Sequence, residues 1–258
     1  MKVIIDKFLE IGNSHDICED YIITGLNPFP YVIVSDGCSM SPMSDVGARI
    51  LSLVAKKVLT KSEHEYIPLY KDFGFDVIMN ANFIIKTMDL PLSVLDATLI
   101  VAFERNDYIH VFVYGDGNIF GCRSDGSINA INISYSQNAP YYLRYNIDKC
   151  SSIIYHDSKI EQKRTRIING KEVEEIVPYD IITQYMFPLE QYDNVLISSD
   201  GIESFGINVF DIINSLLNFK VIKNRFIKRR ANKVIKNLRQ NGITHFDDIS
   251  IGGFHIVE

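Results

Sequence analysis

The chain has 258 residues, of which 47% are hydrophobic and 22% are charged, and its formal net charge is −6. This length and composition predict a soluble globular protein with a full hydrophobic core, in one large domain or two small ones. The acidic balance argues against a nucleic-acid-binding protein, because binding to the phosphate backbone needs an excess of lysine and arginine.

Hydropathy and cysteine usage narrow the class further. The longest apolar stretches fall short of the roughly 18 residues that a membrane span needs, and the opening MKVIIDKFLE carries charges where a signal peptide is apolar. We therefore expect a cytoplasmic protein that does not bind membranes. The four cysteines, Cys18, Cys38, Cys122 and Cys150, form no CxxC pair, which predicts reduced thiols instead of a disulfide or zinc framework.

The first third of the chain predicts three strands followed by two helices. Short β-rich runs lie at about 2–8, 20–24 and 31–34. Apolar residues then recur at helical spacing from Val46 to Val58, with Ser44 or Asp45 placed to cap the helix. The second helical pattern runs from about 71 to 88 and stops before Pro91.

The middle of the chain predicts strands at 97–104, 108–114 and 118–123, separated by the turn-forming segments RND and GDG. These separators predict an antiparallel meander and exclude a simple parallel, doubly wound sheet. The stretch from about 134 to 192 is polar, tyrosine-rich and weakly periodic. We expect it to form an irregular flap-like subregion that contains strands such as 172–177.

The last part predicts a strand at 194–198, helices near 208–217 and 221–239, and a closing strand at 249–257. No glycine, serine or proline linker divides the chain. Residues 221–240 hold eight lysines or arginines and no acid, and their apolar residues share one helical face. This pattern is typical of a surface helix with a solvated basic side, and a docking surface for an acidic or phosphorylated partner is the alternative.

Acids stand at the ends of several predicted strands. Asp36, Asp116 and Asp200 each follow an apolar run and precede a glycine, and the pairs Glu19-Asp20 and Asp247-Asp248 stand immediately before strands. Any single Asp-Gly pair is typical of an ordinary turn. Carboxylates that converge at one sheet edge repel each other unless they are protonated or share a cation, so convergence favours a hard divalent ion. Oxygen ligands without a nearby His–Cys set favour magnesium or manganese over zinc.

Six motifs in order resemble the metal-dependent serine/threonine protein phosphatases of type 2C. The motifs are CEDYII, VIVSDG, ATLIVAF, VYGDGNIF, LISSDGIESF and FDDISI, spread from Glu19 to Ile251. The Gly-Asp-Gly of the fourth motif is similar to that of bacterial members. The resemblance implies an α+β fold, a four-layer α-β-β-α sandwich of two mostly antiparallel sheets flanked by helices, as a single catalytic domain over residues 1–258.

The same resemblance implies a metal site and a catalytic role for several residues. The implied metal ligands are Glu19, Asp36, the Gly37 carbonyl, Asp116, Asp200 and Asp247. Asp36 would bridge two Mg²⁺ or Mn²⁺ ions, Asp116 would serve a third, more weakly held ion, and Asp20 would hold the attacking water. His15 stands where the family usually carries the arginine that binds the substrate phosphate.

The implied activity is hydrolysis of phosphoserine and phosphothreonine on proteins by direct attack of a metal-bridging water, opposite a serine/threonine kinase. No Gly-x-Ser-x-Gly or Cys-x5-Arg motif supplies a protein nucleophile. The sequence departs from the family pattern at His15, in the bulkier 38–42 loop after Gly37, at Ser204 in place of an acid and at Asp248 in place of an asparagine. Of these, His15 keeps open the alternative of a catalytically weak or inactive phosphoprotein-binding module. Hydrolysis of a small phosphoester is a third interpretation.

Overall fold

The structure, a computed structural model, describes residues 2–61, 66–168, 171–217, 219, 222 and 225–257. Its strands are β1 (Lys2–Glu10), β2 (Tyr21–Gly25), β3 (Tyr31–Ser35), β4 (Leu99–Arg105), β5 (Tyr108–Tyr114), β6 (Gly117–Cys122), β7 (Ile128–Tyr135), β8 (Glu161–Ile168), β9 (Lys171–Pro178), β10 (Gln184–Pro188), β11 (Asn194–Ser198) and β12 (Ile249–Val257). Its helices are α1 (Ser44–Lys61), α2 (Tyr70–Thr87), α3 (Lys149–Asp157), α4 (Val209–Leu217) and α5 (Phe226–Gln240).

Two sheets lie face to face. One has five strands in the order β10-β5-β4-β3-β2, and the other has seven in the order β1-β12-β11-β6-β7-β8-β9. Neighbouring strands pair antiparallel in both sheets. Helices α1 and α2 pack on the outer face of the five-stranded sheet, and α4 and α5 pack on the outer face of the seven-stranded sheet. The predicted four-layer α+β sandwich is confirmed.

The central strands are apolar along their whole length because both of their faces are buried. In β3, Ile33 packs with the helices α1 and α2, whereas Val32 and Val34 pack between the two sheets. Strand β4 repeats the pattern, since Val101 faces the helices and Ile100 faces the second sheet. This double burial explains why the sequence shows continuous apolar runs here instead of the alternation of a half-buried strand.

Helix α5 carries the basic segment of the sequence. Its residues Phe226, Ile227 and Ala231 are buried in the core over the seven-stranded sheet, while Lys233 and Lys236 are exposed. This is the arrangement of a surface helix with a solvated basic side. The helix begins at Phe226, and part of the predicted stretch before it lies outside the described residues.

The predicted meander is wrong at its third strand. Strands β4 and β5 form a hairpin, but β6 leaves that sheet and pairs with β11 and β7 in the other one. Gly115 has a φ of 95° and Gly117 a φ of 130°, a backbone region that residues with a Cβ rarely adopt. These two glycines let the chain bend sharply around Asp116, so the GDG segment is a crossing between sheets instead of a hairpin turn.

In the described part of residues 134–192, which were expected as an irregular flap, the structure has one α-helix, α3, and three complete strands. Strands β8 and β9 extend the seven-stranded sheet, and β10 forms an edge of the five-stranded sheet. In β9 only Val177 is buried. A strand that is exposed on both faces shows no apolar alternation, which is why the sequence pattern there is weak.

Two further features concern the hydropathy of the helices and the state of the cysteines. Among the described residues, no helix is both long enough and apolar enough to cross a membrane. The four cysteines are free thiols. Burial raises the pKa of the Cys18 thiol to about 12, so this thiol stays protonated and unreactive near neutral pH.

Candidate active site

The strand register brings the acids to one end of the sandwich. Tyr21 pairs with Ser35, so the start of β2 and the end of β3 meet at one edge of the five-stranded sheet. Ser198 pairs with Ile251 on one side and Asn118 on the other, so the end of β11 meets the starts of β12 and β6. The acids next to these strand ends are Asp20, Asp36, Asp116, Asp200 and Asp247. We call this group the acidic edge.

Asp36 lies at the centre of the acidic edge and is held in place through its backbone. Its N–H donates to Thr98 Oγ1 at 3.2 Å, and its carbonyl accepts from Thr98 N–H at 2.8 Å. Burial, the charges of Asp20 and Asp200, and a hydrogen bond with Asp200 raise the pKa of Asp36 well above its usual value.

Asp20 joins the edges of the two sheets. Its Oδ2 accepts a hydrogen bond from Ser199 Oγ at 2.7 Å, and Ser199 lies directly after β11 in the other sheet. Its Oδ1 is buried without a hydrogen-bond partner among the described residues. Burial raises the pKa of Asp20, and the nearby charges of Asp248 and Asp200 raise it further. An unpartnered carboxylate oxygen in such a place is available to a ligand or a water.

Glu19 is fixed by two serine hydroxyls. Ser44 Oγ donates to Oε1 and Ser39 Oγ donates to Oε2, each at 2.5 Å. Ser39 belongs to the 38–42 loop, which follows Gly37. The Gly37 N–H donates to the Glu19 carbonyl at 3.3 Å, so the two predicted ligands of one ion are adjacent through the backbone as well.

Asp200 and Asp247 lie near each other at the edge of the seven-stranded sheet. Asp200 Oδ1 is buried without a hydrogen-bond partner in the described part of the chain. Burial and the charge of Asp200 raise the pKa of Asp247. Gly201 is required here, because a Cβ at this position would lie 1.8 Å from the carbonyl oxygen of Asp248. The close backbone approach therefore explains the glycine of this Asp-Gly pair.

Asp116 lies at the crossing between the two sheets. Its side chain is buried, and burial together with the charges of Asp200, Glu203 and Asp247 raises its pKa well above the usual value. Asp116 is thus close enough to the other acids for their charges to raise its pKa.

His15 lies beside three acids. Its Nε2 is 3.9 Å from Glu19 Oε2 and 3.8 Å from Asp247 Oδ1, and its Nδ1 is 3.1 Å from Asp248 Oδ2, without a well-directed hydrogen bond. Burial opposes a charge on this ring, but the neighbouring carboxylates, with Asp248 foremost, outweigh it and raise the pKa of His15. The structure thus brings His15 to the acidic edge, where it is paired with acids.

Asp248 has a structural position that the sequence did not reveal. Its Oδ1 accepts from Gly12 N–H at 2.7 Å and its Oδ2 accepts from Glu19 N–H at 2.6 Å. The carboxylate is 2% exposed and links residues 12–19 to the start of β12. Its added charge is thus taken up by two backbone donors.

Three hydroxyl residues that support the site were also missed as such: Thr98, Ser199 and Ser204. Ser204 Oγ accepts from the N–H groups of Phe246 and Asp247, each at 3.2 Å, and so holds the loop that carries Asp247. The sequence signal was available, because serines or a threonine stand close to the acids in SSD, SDG and ATL. It was weak because hydroxyl residues are common in any turn.

The residues present fit a hard divalent cation by their chemistry. The acidic edge offers carboxylate oxygens, two of which, Asp20 Oδ1 and Asp200 Oδ1, are buried and unpartnered among the described residues. No three Asp, Glu, His or Cys side chains of the described residues already converge as a formed metal site. Carboxylates without a shared cation repel each other. Burial and this repulsion together raise the pKa values of Asp20, Asp36 and Asp116.

Comparisons with known proteins agree with this architecture. The chain resembles the solved structure of the serine/threonine phosphatase Stp1 from Staphylococcus aureus, with a TM-score of 0.64 and 12% identity over 100% of this chain and 96% of that one. A bacterial serine phosphatase matches with a TM-score of 0.63 and 14% identity over 98% and 97% of the two chains. The phosphatase PstP/Ppp from Mycobacterium tuberculosis matches with a TM-score of 0.57 and 12% identity over 99% of each.

At these identities the structural matches show a shared fold. A search of curated protein sequences finds no significant match. The family evidence comes from a sequence model described as protein phosphatase 2C, which matches residues 12–245. That span contains His15, Glu19, Asp20 and three Asp-Gly pairs of the acidic edge. With this model matching most of its length and the fold in agreement, the chain belongs to the protein phosphatase 2C family.

Proposed function

We propose that this protein hydrolyses phosphoserine and phosphothreonine on proteins in a reaction that depends on Mg²⁺ or Mn²⁺. The observation that carries the proposal is the acidic edge itself. Its five carboxylates lie close enough together for their charges to raise the pKa of several of them, and two of their oxygens are buried without a partner among the described residues. A protein that only binds phosphoproteins has no need to hold so many mutually repelling acids together.

The residues divide between two ions and a weaker third. Glu19, Asp36 and the Gly37 carbonyl would hold one ion, and Asp36, Asp200 and Asp247 would hold the other. Asp116 would contribute to the third. When bound, such ions lower the pKa of a coordinated water and neutralise the negative charge of the phosphate oxygens.

The other residues of the site orient the reactants. Asp20 accepts a hydrogen bond from the attacking water through its unpartnered Oδ1, while Ser199 holds its Oδ2. His15 donates to a phosphate oxygen in place of the usual arginine. Its pairing with Asp248 keeps the ring close to the acidic edge and favours the protonated form that has two donors. Attack is direct, and no phosphorylated protein side chain is formed.

The substrate is a phosphorylated protein, which implies an opposing serine/threonine kinase. We place the protein in the cytoplasm, and nucleic acid and membranes are not among its proposed partners. One structural relative, PppA from Pseudomonas aeruginosa, is described as a key regulatory component of T6SS. By analogy a regulatory role against a kinase is proposed for this chain.

A turnover assay tests the proposal. The purified protein, stripped with a chelator, should not release phosphate from a phosphoserine peptide, and Mn²⁺ or Mg²⁺ should restore release. Ca²⁺ should not restore it, because its larger radius and looser coordination misplace the attacking water. Metal-dependent binding of the peptide without any phosphate release would instead favour the non-catalytic module. Release of phosphate that survives exhaustive chelation would contradict the mechanism.

A further inference from the structure

A cavity of about 590 Å³ opens beside the acidic edge. Gly115, which directly precedes Asp116, forms part of its lining. Helix α2 forms one wall, and the segment between β7 and β10 forms the other. Because consecutive Cα atoms lie about 3.8 Å apart, the cavity begins within one residue of Asp116, the proposed ligand of the third ion. A peptide that runs from the acidic edge past Gly115 reaches the cavity.

The wall formed by α2 is aromatic. The ring of Tyr70 stacks on that of Tyr114 with a centroid distance of 4.5 Å. Tyr70 OH donates to Val113 O at 2.7 Å, and Tyr114 OH donates to Tyr70 O at 2.6 Å. Since both hydroxyls are committed to backbone carbonyls, what these tyrosines offer to a ligand is ring surface. Phe75 completes this wall, and 52% of its surface is exposed.

The opposite wall is also aromatic, and it is preformed. Tyr141 and Tyr179 line the cavity with their rings 5.0 Å apart. Tyr155 packs behind both, at 5.1 Å from Tyr141 and 4.9 Å from Tyr179. The hydroxyl of Tyr155 donates to Ala139 O at 2.6 Å, which ties α3 to the chain after β7. The wall is thus held in shape before any ligand arrives, which lowers the entropic cost of binding.

The size and charge of the cavity restrict its ligand. Its volume is in the range of ligand-binding pockets, so it has room for an aromatic side chain together with part of the adjoining peptide. Lys71, Asp72 and Asp180 also line it, so charges of both signs are present and neither sign of ligand is selected. The aromatic walls favour a flat aromatic group, because rings prefer offset or edge-to-face contacts at centroid distances of 4.5–7 Å.

We propose that this cavity is a specificity subsite for an aromatic side chain of the phosphoprotein substrate, within three residues of the phosphorylated serine or threonine. An extended peptide advances about 3.3–3.6 Å per residue, so one to three residues span roughly 3 to 11 Å from the acidic edge. The proposal rests on the proposed phosphatase function, and it adds a sequence preference to it.

Binding of a peptide series tests the subsite without any need for turnover. The series carries a non-hydrolysable phosphonate analogue of phosphoserine in an alanine background, with a single tyrosine moved through the three positions on each side. Dissociation constants are measured with the full chain in Mn²⁺. We expect tyrosine to tighten binding about threefold to tenfold at one or two positions relative to the all-alanine peptide.

Two variants locate the effect. Phe75→Ala opens the α2 wall at a half-exposed position, so the ratio between the alanine and tyrosine peptides should fall towards one. Phe83→Ala is the matched control, because Phe83 is on the same helix, is 73% exposed and does not line the cavity. It should keep the wild-type ratio.

The outcomes separate the subsite from the phosphatase function. The subsite proposal is overturned if tyrosine tightens binding at none of the positions. It is also overturned if the tyrosine preference persists in Phe75→Ala. Phosphate release from an all-alanine phosphoserine peptide is measured separately with Mn²⁺. If that release occurs while the tyrosine preference is missing, the phosphatase proposal stands and the subsite fails. If release is absent while the preference is present, the subsite stands and the phosphatase proposal fails.

Discussion

The chain contains Asp-Gly pairs in two different surroundings. Asp125-Gly126 lies in the turn between β6 and β7, where Gly126 has a φ of 81° and Asp125 is fully exposed. Hydrogen bonds from Ser127 lower the pKa of Asp125. At the other end of β6, Asp116-Gly117 is buried among acids, and burial with the charge of Asp200 raises the pKa of Asp116.

Only the short strand β6 separates the two pairs in sequence, but their surroundings in the fold are different. Asp125 is an ordinary turn acid, which needs only a local backbone donor. Asp36, Asp116 and Asp200 are held near one another by pairing between strands far apart in sequence. The dipeptide itself therefore predicts a turn, and only its neighbours in the fold make it part of a site.

The largest expected effect is on kcat, and it appears when one acid of the acidic edge and one turn acid are substituted separately. Asp36→Asn keeps the shape of the side chain and removes a ligand charge, so kcat should fall by about three orders of magnitude. Asp125→Asn keeps an acceptor for Ser127 and should change kcat by less than about twofold. Steady-state kinetics on a phosphoserine peptide in Mn²⁺ measure both. Equal losses in the two variants would remove the distinction between them.

The pH dependence of the metal-free protein should show the same contrast. Asp20, Asp36 and Asp116 have folded-state pKa values above their unfolded ones, so the folded state binds more protons. Their contribution to stability is full below the unfolded pKa of about 4 and is lost as pH rises through the folded pKa. With a chelator present, Asp36→Asn should therefore melt higher than wild type, by a margin that grows as pH rises.

That margin should be about 2–4 °C for each kcal/mol of repulsion relieved, as measured by melting curves between pH 4.5 and 8. The pKa of Asp125 is shifted in the opposite direction. A lowered folded-state pKa stabilises the folded protein at pH values above the unfolded pKa, and this stabilisation is lost as pH falls. The Asp125→Asn control should thus show no gain at high pH. A wild-type melting temperature that tracks Asp36→Asn at every pH would contradict the proposed repulsion.

His15 tests how the acidic edge binds phosphate. His15→Arg restores a permanently charged donor with a fork geometry that suits phosphate, so KM should fall about threefold to tenfold while kcat changes little. His15→Gln keeps a neutral donor and should raise KM. Steady-state kinetics on one phosphopeptide at a fixed Mn²⁺ concentration measure KM and kcat separately. A KM that stays the same in both variants would show that His15 does not bind the phosphate.

The smallest expected effect concerns Ser204. Ser204→Ala removes the acceptor for the N–H groups of Phe246 and Asp247, and each lost hydrogen bond costs about 1 kcal/mol. We expect the melting temperature to fall by a few degrees and the apparent affinity for Mn²⁺ to weaken slightly. Ser204→Thr keeps the hydroxyl as a control. A loss of the same size in both variants would point to packing instead.

The sequence predicted the elements best where burial leaves a clear pattern. Strands β3, β5, β11 and β12 were expected within a residue or two, because their apolar runs are long and end in turn residues. The acids of the edge were found for the same reason, since each stands at a strand end. Whether the roles assigned to them hold stays a prediction.

Long-range pairing accounts for most of what was missed. The crossing at Asp116 could not be distinguished from a hairpin, because GDG permits both and the partner of β6 lies far along the chain in β11. Strand β9 was expected at 172–177 and lies at Lys171–Pro178, but its partner β8 was not predicted, because the pairing of the two strands is not visible in a local pattern. The supporting contacts of Asp248 join residues more than 200 positions apart, which no local pattern can reveal.

A crystal structure of the protein soaked in Mn²⁺, with the anomalous signal of manganese recorded, tests the central claim most directly. The account predicts manganese within bonding distance of both Asp36 and Asp200, with Glu19 and Asp247 completing the two sides. Manganese that is absent from the acidic edge at millimolar concentration, or bound only elsewhere on the surface, would contradict it.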